Sequence, residues 1–365
     1  MEKTRESGID LLKVLLMYMV VVLHVLGQGG VLENTEVLSA NYEIAWFLEI
    51  LTMCAVNTFA MASGYVMADS EFKYYRIVVL WLQVVFYTIG ISVFFYICVP
   101  DSAGVKDIIW SAFPVISQEY WYFTAYFGMF FFIPFINNMV NALSQKDIKC
   151  LIFTIFILLS VLTSYKDIFN TEKGYSFLWM AVMYTIGVCC KKIRFKISVK
   201  KAVMAYFVLS CIVLVTKFCA ETFRGDINNI GSRNSRINDL LVSYTTPMIV
   251  LMALSLLIAF SKINLPGKVR EVVLFFSKLS FSVYLIHTHP LIFWYLINGA
   301  FVNICDLNAV SFLLSILGIA FIIYLICMII DVLRYELFKI FRVSYIVQSI
   351  SQKAGSLRIF QKLKV

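Results

Sequence analysis

Charge is what this sequence has least of. Only 15% of its 365 residues are Asp, Glu, Lys or Arg, whereas 61% are hydrophobic. A soluble globular domain carries nearer ~25% charged residues, so this composition reads as a polytopic membrane protein. Histidine is scarcer still, with three in the whole chain: His24, His287 and His289. No CxxC pair occurs among the nine cysteines, which excludes the usual zinc and redox spacings and indicates no disulfide framework. No small-residue cleavage site follows the first apolar run, where Gly27, Gln28 and Gly29 stand, so that run reads as a retained span and not a signal peptide. No internal repeat is evident. The net charge of +9 needs no nucleic acid to explain it, because cytoplasmic loops of membrane proteins collect Lys and Arg.

What is present is a series of long apolar runs. Ten spans are expected, at 8–26, 43–67, 77–99, 121–143, 150–164, 175–190, 202–219, 239–260, 272–299 and 309–333. All should be helical, since lipid offers no partner to an unpaired backbone group. The expected fold is therefore an all-α, polytopic membrane helix bundle. Residues 1–7, 68–76, 144–149, 191–201, 261–271 and 334–365 hold 22 Lys and Arg, against six in the opposite loops. That bias places both termini in the cytoplasm. The organisation expected is a membrane domain over 1–333 and a basic cytoplasmic tail over 334–365.

The first span carries Lys13 and His24 inside an otherwise apolar run. Eleven residues at roughly 100° each return to within about 20° of the start, so the two side chains share a helix face ~16 Å apart along the axis. A lysine alone can snorkel to the interface, and a histidine alone can bond a backbone carbonyl. Together on one face, ionisable groups at membrane depth point to function, here a path through the bilayer.

Further along, Asn57, Met61 and Gly64 share a face of the second span. Ser63 and Gly64 suit close helix packing or a backbone opened to admit a ligand. Trp121 and Tyr122 begin an aromatic run that serves either as an interface belt or as a platform for a sugar ring. Arg224, Arg233 and Arg236 lie in an outer loop against the charge trend and fit an anionic substrate or lipid headgroup. Ser280, Tyr284 and His287 follow i, i+4, i+7 spacing and line one stripe of the ninth span. Three polar groups on a lipid-buried stripe argue for an interior cavity. Pro290 is expected to kink that helix by loosening the bond at Ile286. The HxH pair has neither helical zinc spacing nor a supporting carboxylate, so no metal is expected.

In order and spacing these pieces resemble the acyltransferase-3 family of integral membrane O-acyltransferases. The family's basic residue, ten residues and a histidine match Lys13 and His24, preceded by Arg5 and Asp10. Its Ser-Gly-Tyr signature matches Ser63 to Tyr65. A Trp-Tyr-Phe segment followed by a proline matches Trp121 to Phe123 and Pro134. The late Ser-x-x-x-Tyr-Leu-x-His matches Ser280 to His287. Lysine stands at 13 where arginine is commoner, which keeps the charge and loses bidentate recognition.

The resemblance implies a multi-pass plasma-membrane enzyme. It would move an acetyl group from cytosolic acetyl-CoA to a hydroxyl of an exported or cell-surface polysaccharide. Acetyl-CoA would be a substrate, with no permanently bound cofactor, and the other partners would be membrane lipids and the extracytoplasmic glycan. His24, Lys13, Tyr284 and His287 are the expected catalytic group. Arg5, Asp10, Ser63, Gly64, Trp121, Tyr122, Arg224, Arg233, Arg236 and Ser280 are expected to bind donor or acceptor. Buried ionisable groups would equally fit a transporter of a small polar solute or a flippase for a lipid-linked sugar. Acetyl-CoA dependence separates the two.

Overall fold

The computed structural model describes residues 6–193, 195–224 and 240–355, and among them every regular element is helical. The first long helix, α1 (Ser7–Leu26), holds the middle of the bundle. It packs against α2 (Ala40–Met53), α3 (Ala55–Met67), α10 (Pro247–Phe260), α11 (Gly267–His287) and α12 (Ala309–Ile340). Fourteen of its residues are buried, including Ser7 and Asp10. A helix that is apolar nearly all round is one that other helices surround. Around this centre stand α4 (Tyr75–Cys98), α5 (Trp121–Phe130), α6 (Ile133–Ala142), α7 (Gln145–Tyr165), α8 (Phe177–Ile193) and α9 (Val199–Arg224). A last helix, α13 (Val343–Gly355), packs on α4 and α12.

Among the described residues, six helical segments are long and apolar enough to cross a membrane: Ser7–Asn34, Ala40–Met67, α4, α7, Val199–Phe223 and α12. The expected span 121–143 is a pair of helices, α5 and α6, bent by 59° and making a seventh if they cross as one. Pro134 opens α6, where its missing N–H and fixed φ are tolerated. In the expected span 239–260 the chain turns after Leu241, and the long helix begins at Pro247, again with proline at the helix start.

The expected span 272–299 is not one continuous helix. α11 ends at His287, and the chain re-enters helix only at Pro290. Proline does not merely kink this helix. The Thr288 hydroxyl donates to the Tyr284 carbonyl at 2.7 Å, and the His289 side chain caps the new turn by accepting from the Leu291 amide at 3.2 Å. The old helix is thus closed and a new one started within three residues. At the other end of the chain, α12 runs on to Ile340, straight through residue 333, where a tail was expected to begin.

Two small-residue contacts and one buried ion cluster fix the frame. A Cβ on Gly64 would collide with the Tyr184 carbonyl, and one on Gly187 with the Met61 carbonyl. α3 and α8 therefore touch backbone to backbone at reciprocal glycines, the closest approach that membrane helices make. On the opposite side, Arg334 donates to both carboxylate oxygens of Asp331 at 2.7 and 2.6 Å. The Tyr87 hydroxyl donates to the same carboxylate at 2.5 Å. Asp331 is fully buried. Removing one member of a buried pair leaves the other uncompensated and costs about 3–5 kcal/mol. Asp331→Ala is therefore expected to lower the thermal midpoint in detergent sharply, while Glu336→Ala, at a half-buried position whose side chain pairs with exposed Lys339, changes it little.

Candidate functional site

α1 and α11 bring the two histidines together. His24 Nδ1 and His287 Nε2 are 2.7 Å apart, with ring centroids at 4.9 Å. The second nitrogen of His287, Nδ1, lies 2.5 Å from the Val283 carbonyl. A carbonyl only accepts, so His287 Nδ1 carries the hydrogen. In a neutral His287, Nε2 is then the acceptor and His24 Nδ1–H the donor. His24 is left with its lone pair on Nε2. The pair thus selects one tautomer of His24, the one that presents a basic nitrogen.

His24 stands where two cavities meet. The first, of about 310 Å³, is lined by Lys13, His24, Ser63, Trp121, Tyr122, Ser280 and Tyr284 among others. Lys13 is at one end of this space and His24, some ~16 Å further along α1, at the other. The second cavity, of about 150 Å³, is lined by His24, Gln28, Glu119, Tyr284 and His287 among others. His24, Trp121 and Tyr284 line both. Glu119 lies in the segment before α5, and burial pushes its carboxyl above the usual carboxylate range. It also faces His289, with Glu119 Oε1 3.7 Å from His289 Nε2.

The aromatic run at the start of α5 is part of a larger cluster. Trp121 lies against Tyr244 with rings 6.1 Å apart and nearly parallel, and against Tyr175 at 4.7 Å. Tyr175 and Tyr244 are themselves 5.0 Å apart. Asn57 sets this cluster in place. Its amide donates to the Tyr244 carbonyl at 2.7 Å and accepts from the Trp179 indole at 2.8 Å, so its polar groups are spent on architecture. Tyr284 is wedged between Tyr120 at 5.6 Å and Tyr122 at 6.2 Å.

The residues expected from sequence divide cleanly. Lys13, His24, Ser63, Trp121, Tyr122, Ser280 and Tyr284 face the first cavity, and His287 faces the second. Asp10 stands one layer back, where it accepts from the Ser277 hydroxyl at 3.1 Å, and Ser277 itself lines the first cavity. Gly64 lies in the α3–α8 contact and does not line either cavity. Arg5, Arg233 and Arg236 and the side chain of Arg224 fall outside the described residues. Gln28, Glu119, Tyr244 and Ser277 line the cavities without having been singled out from the sequence, and Tyr175 packs beside them against Trp121 and Tyr244. Glu119 alone carried a signal, as a carboxylate directly before an aromatic run.

The histidine pair, His287 buried and His24 partly so, stands at the junction of two cavities inside a helix bundle. The acyltransferase domain family model, acyltransferase-3, matches residues 6–332, and the chain belongs to that family. It is a membrane acyltransferase. No match was found among curated proteins or among solved structures.

Proposed function

We propose that the protein transfers an acetyl group from cytosolic acetyl-CoA to a hydroxyl of an exported or cell-surface polysaccharide across the plasma membrane, with both chain termini in the cytoplasm and ten spans. The observation that supports this reading best is the position of His24 between two cavities. The cavity reaching to Lys13 suits the donor. Its length accommodates an extended pantetheine arm, with Lys13 near the entrance to offset negative charge. The cavity bounded by Gln28 and Glu119 suits the acceptor, whose sugar ring would rest against Trp121.

His24 Nε2 takes the proton of the acceptor hydroxyl as its oxygen attacks the thioester carbonyl. The carbonyl carbon gains a C–O bond and loses its C–S bond, and the coenzyme thiolate leaves with the proton returned from His24. General-base catalysis of this kind is worth about 10²–10⁴-fold. His287 orients His24 and shares the positive charge, as the third member of a nucleophile–base–orienter set does.

The test uses membrane vesicles of known orientation. Labelled acetyl-CoA is supplied on the cytoplasmic side and label is followed into glycan on the other. Label crossing with the wild type supports the proposal. Transport of a solute with no dependence on acetyl-CoA would overturn it. Trp121→Ala is expected to raise the KM for the glycan about 2–13-fold, on the scale of a lost ring contact of ~0.5–1.5 kcal/mol, while the KM for acetyl-CoA moves far less.

A further inference from the structure

A larger cavity lies away from the histidines. It has a volume of about 620 Å³ and runs between α7, α8 and α10. α7 is tied to the bundle at both ends. At its start, the Gln145 amide donates to the Lys192 carbonyl at 3.2 Å. Near its far end, the Ser160 hydroxyl donates to the Thr245 carbonyl at 2.6 Å, within a wider π-helical turn at Ile157–Leu162. Between these ties the helix stands off its neighbours and leaves the groove.

The walls of the groove are apolar along most of its length, with Phe156, Ile186, Leu251 and Leu254 among the lining side chains. Lys149 and Lys196 also line it. Lys149 is in the second turn of α7 and Lys196 in the segment after α8, so both lie at the end where Gln145 meets Lys192. Both are exposed. From Gln145 to Phe156 the groove follows eleven residues, or ~16 Å of helix. That is about half of the ~30 Å hydrocarbon core, the depth of one leaflet. Packed interiors keep few voids larger than a water molecule, so an apolar groove of this size in a bilayer takes up a chain.

We propose that this groove is a binding site for an anionic phospholipid, one acyl chain lying between α7 and α10 and the phosphate meeting Lys149 and Lys196. Lysines without a groove would only snorkel. A groove without lysines would take any lipid. Basic pockets between membrane helices are the recognised setting for acidic headgroups. The proposal stands on different residues from the acyl-transfer reading and does not depend on it.

The test is native mass spectrometry of the full chain in neutral detergent, incubated with phosphatidylglycerol or with phosphatidylcholine of the same acyl chains. Phosphatidylglycerol is expected to be retained in preference. Each lysine near a headgroup is worth about fivefold in binding, so Lys149→Ala with Lys196→Ala should lower retention ~30-fold. These side chains are exposed, and their loss leaves the fold intact. Lys146→Ala, on an exposed neighbour outside the groove, should change nothing. Leu251→Trp, which fills the groove, should lower retention of both lipids. Equal retention of the two lipids overturns the proposal, as does retention indifferent to the double lysine change.

Discussion

Replacing His24 by alanine is expected to lower acyl transfer by about 10²–10⁴-fold at an unchanged yield of folded protein. The reasoning is local. The imidazole lines both cavities, and its bond to His287 ties it to the wall of the second. Truncation removes the base but no helix contact of the α1 backbone. The loss should therefore fall on kcat, measured per folded molecule in oriented vesicles, with the KM for acetyl-CoA nearly unchanged. His287→Phe keeps a ring in the same place without the acceptor nitrogen. It should give an intermediate loss, because His24 is then present but its tautomer is no longer selected. Full activity in His24→Ala would falsify the assignment of the base.

Gly64→Val is expected to act through the fold. A side chain at this position meets the Tyr184 carbonyl and the Val188 amide, and both are backbone that cannot swing aside. Overpacking ordinarily costs about 1–3 kcal/mol, and more where nothing can move. The measurement is the monodisperse yield after detergent extraction, together with the thermal midpoint. Both should fall steeply, and Gly187→Val should do the same from the other side of the contact. A residue that bound substrate would instead lose activity at normal yield. Gly64→Ala, with the smallest possible clash, should lie between wild type and valine.

The comparison of Lys13 with Gly64 shows what could be read from the sequence. Lys13 and His24, or Ser280 and Tyr284, are related by helical period alone, and a helix with known ends puts them on one face. The structure finds all four lining one cavity. Gly64 carries no such mark, since a glycine in an apolar helix reads the same whether it faces a ligand or a neighbouring backbone. Glu119, Tyr175 and Tyr244 join the site from three separate stretches, and no local pattern relates them to His24. The break after His287 was half legible. Pro290 announced a disturbance, but the bonds made by Thr288 and His289 decide that the helix ends there.

The ending of α11 at His287 has an electrostatic consequence. His24 lies in the last turn of α1, and His287 in the last turn of α11. Each helix C-terminus carries the equivalent of up to about half a negative charge from its aligned peptide dipoles. Two such macrodipoles therefore converge on one imidazole pair. On the proposed reading, the pair becomes cationic when it takes the acceptor's proton, in a setting with little water to solvate it. The aligned peptide dipoles supply that solvation in advance, each worth ~0.3–1 kcal/mol and up to ~2 when partly buried. Had α11 continued through residue 299, its free carbonyls would have lain well beyond the histidines. Stopping the helix at His287 places a fixed negative potential beside the imidazole pair where the proposed reaction would develop positive charge.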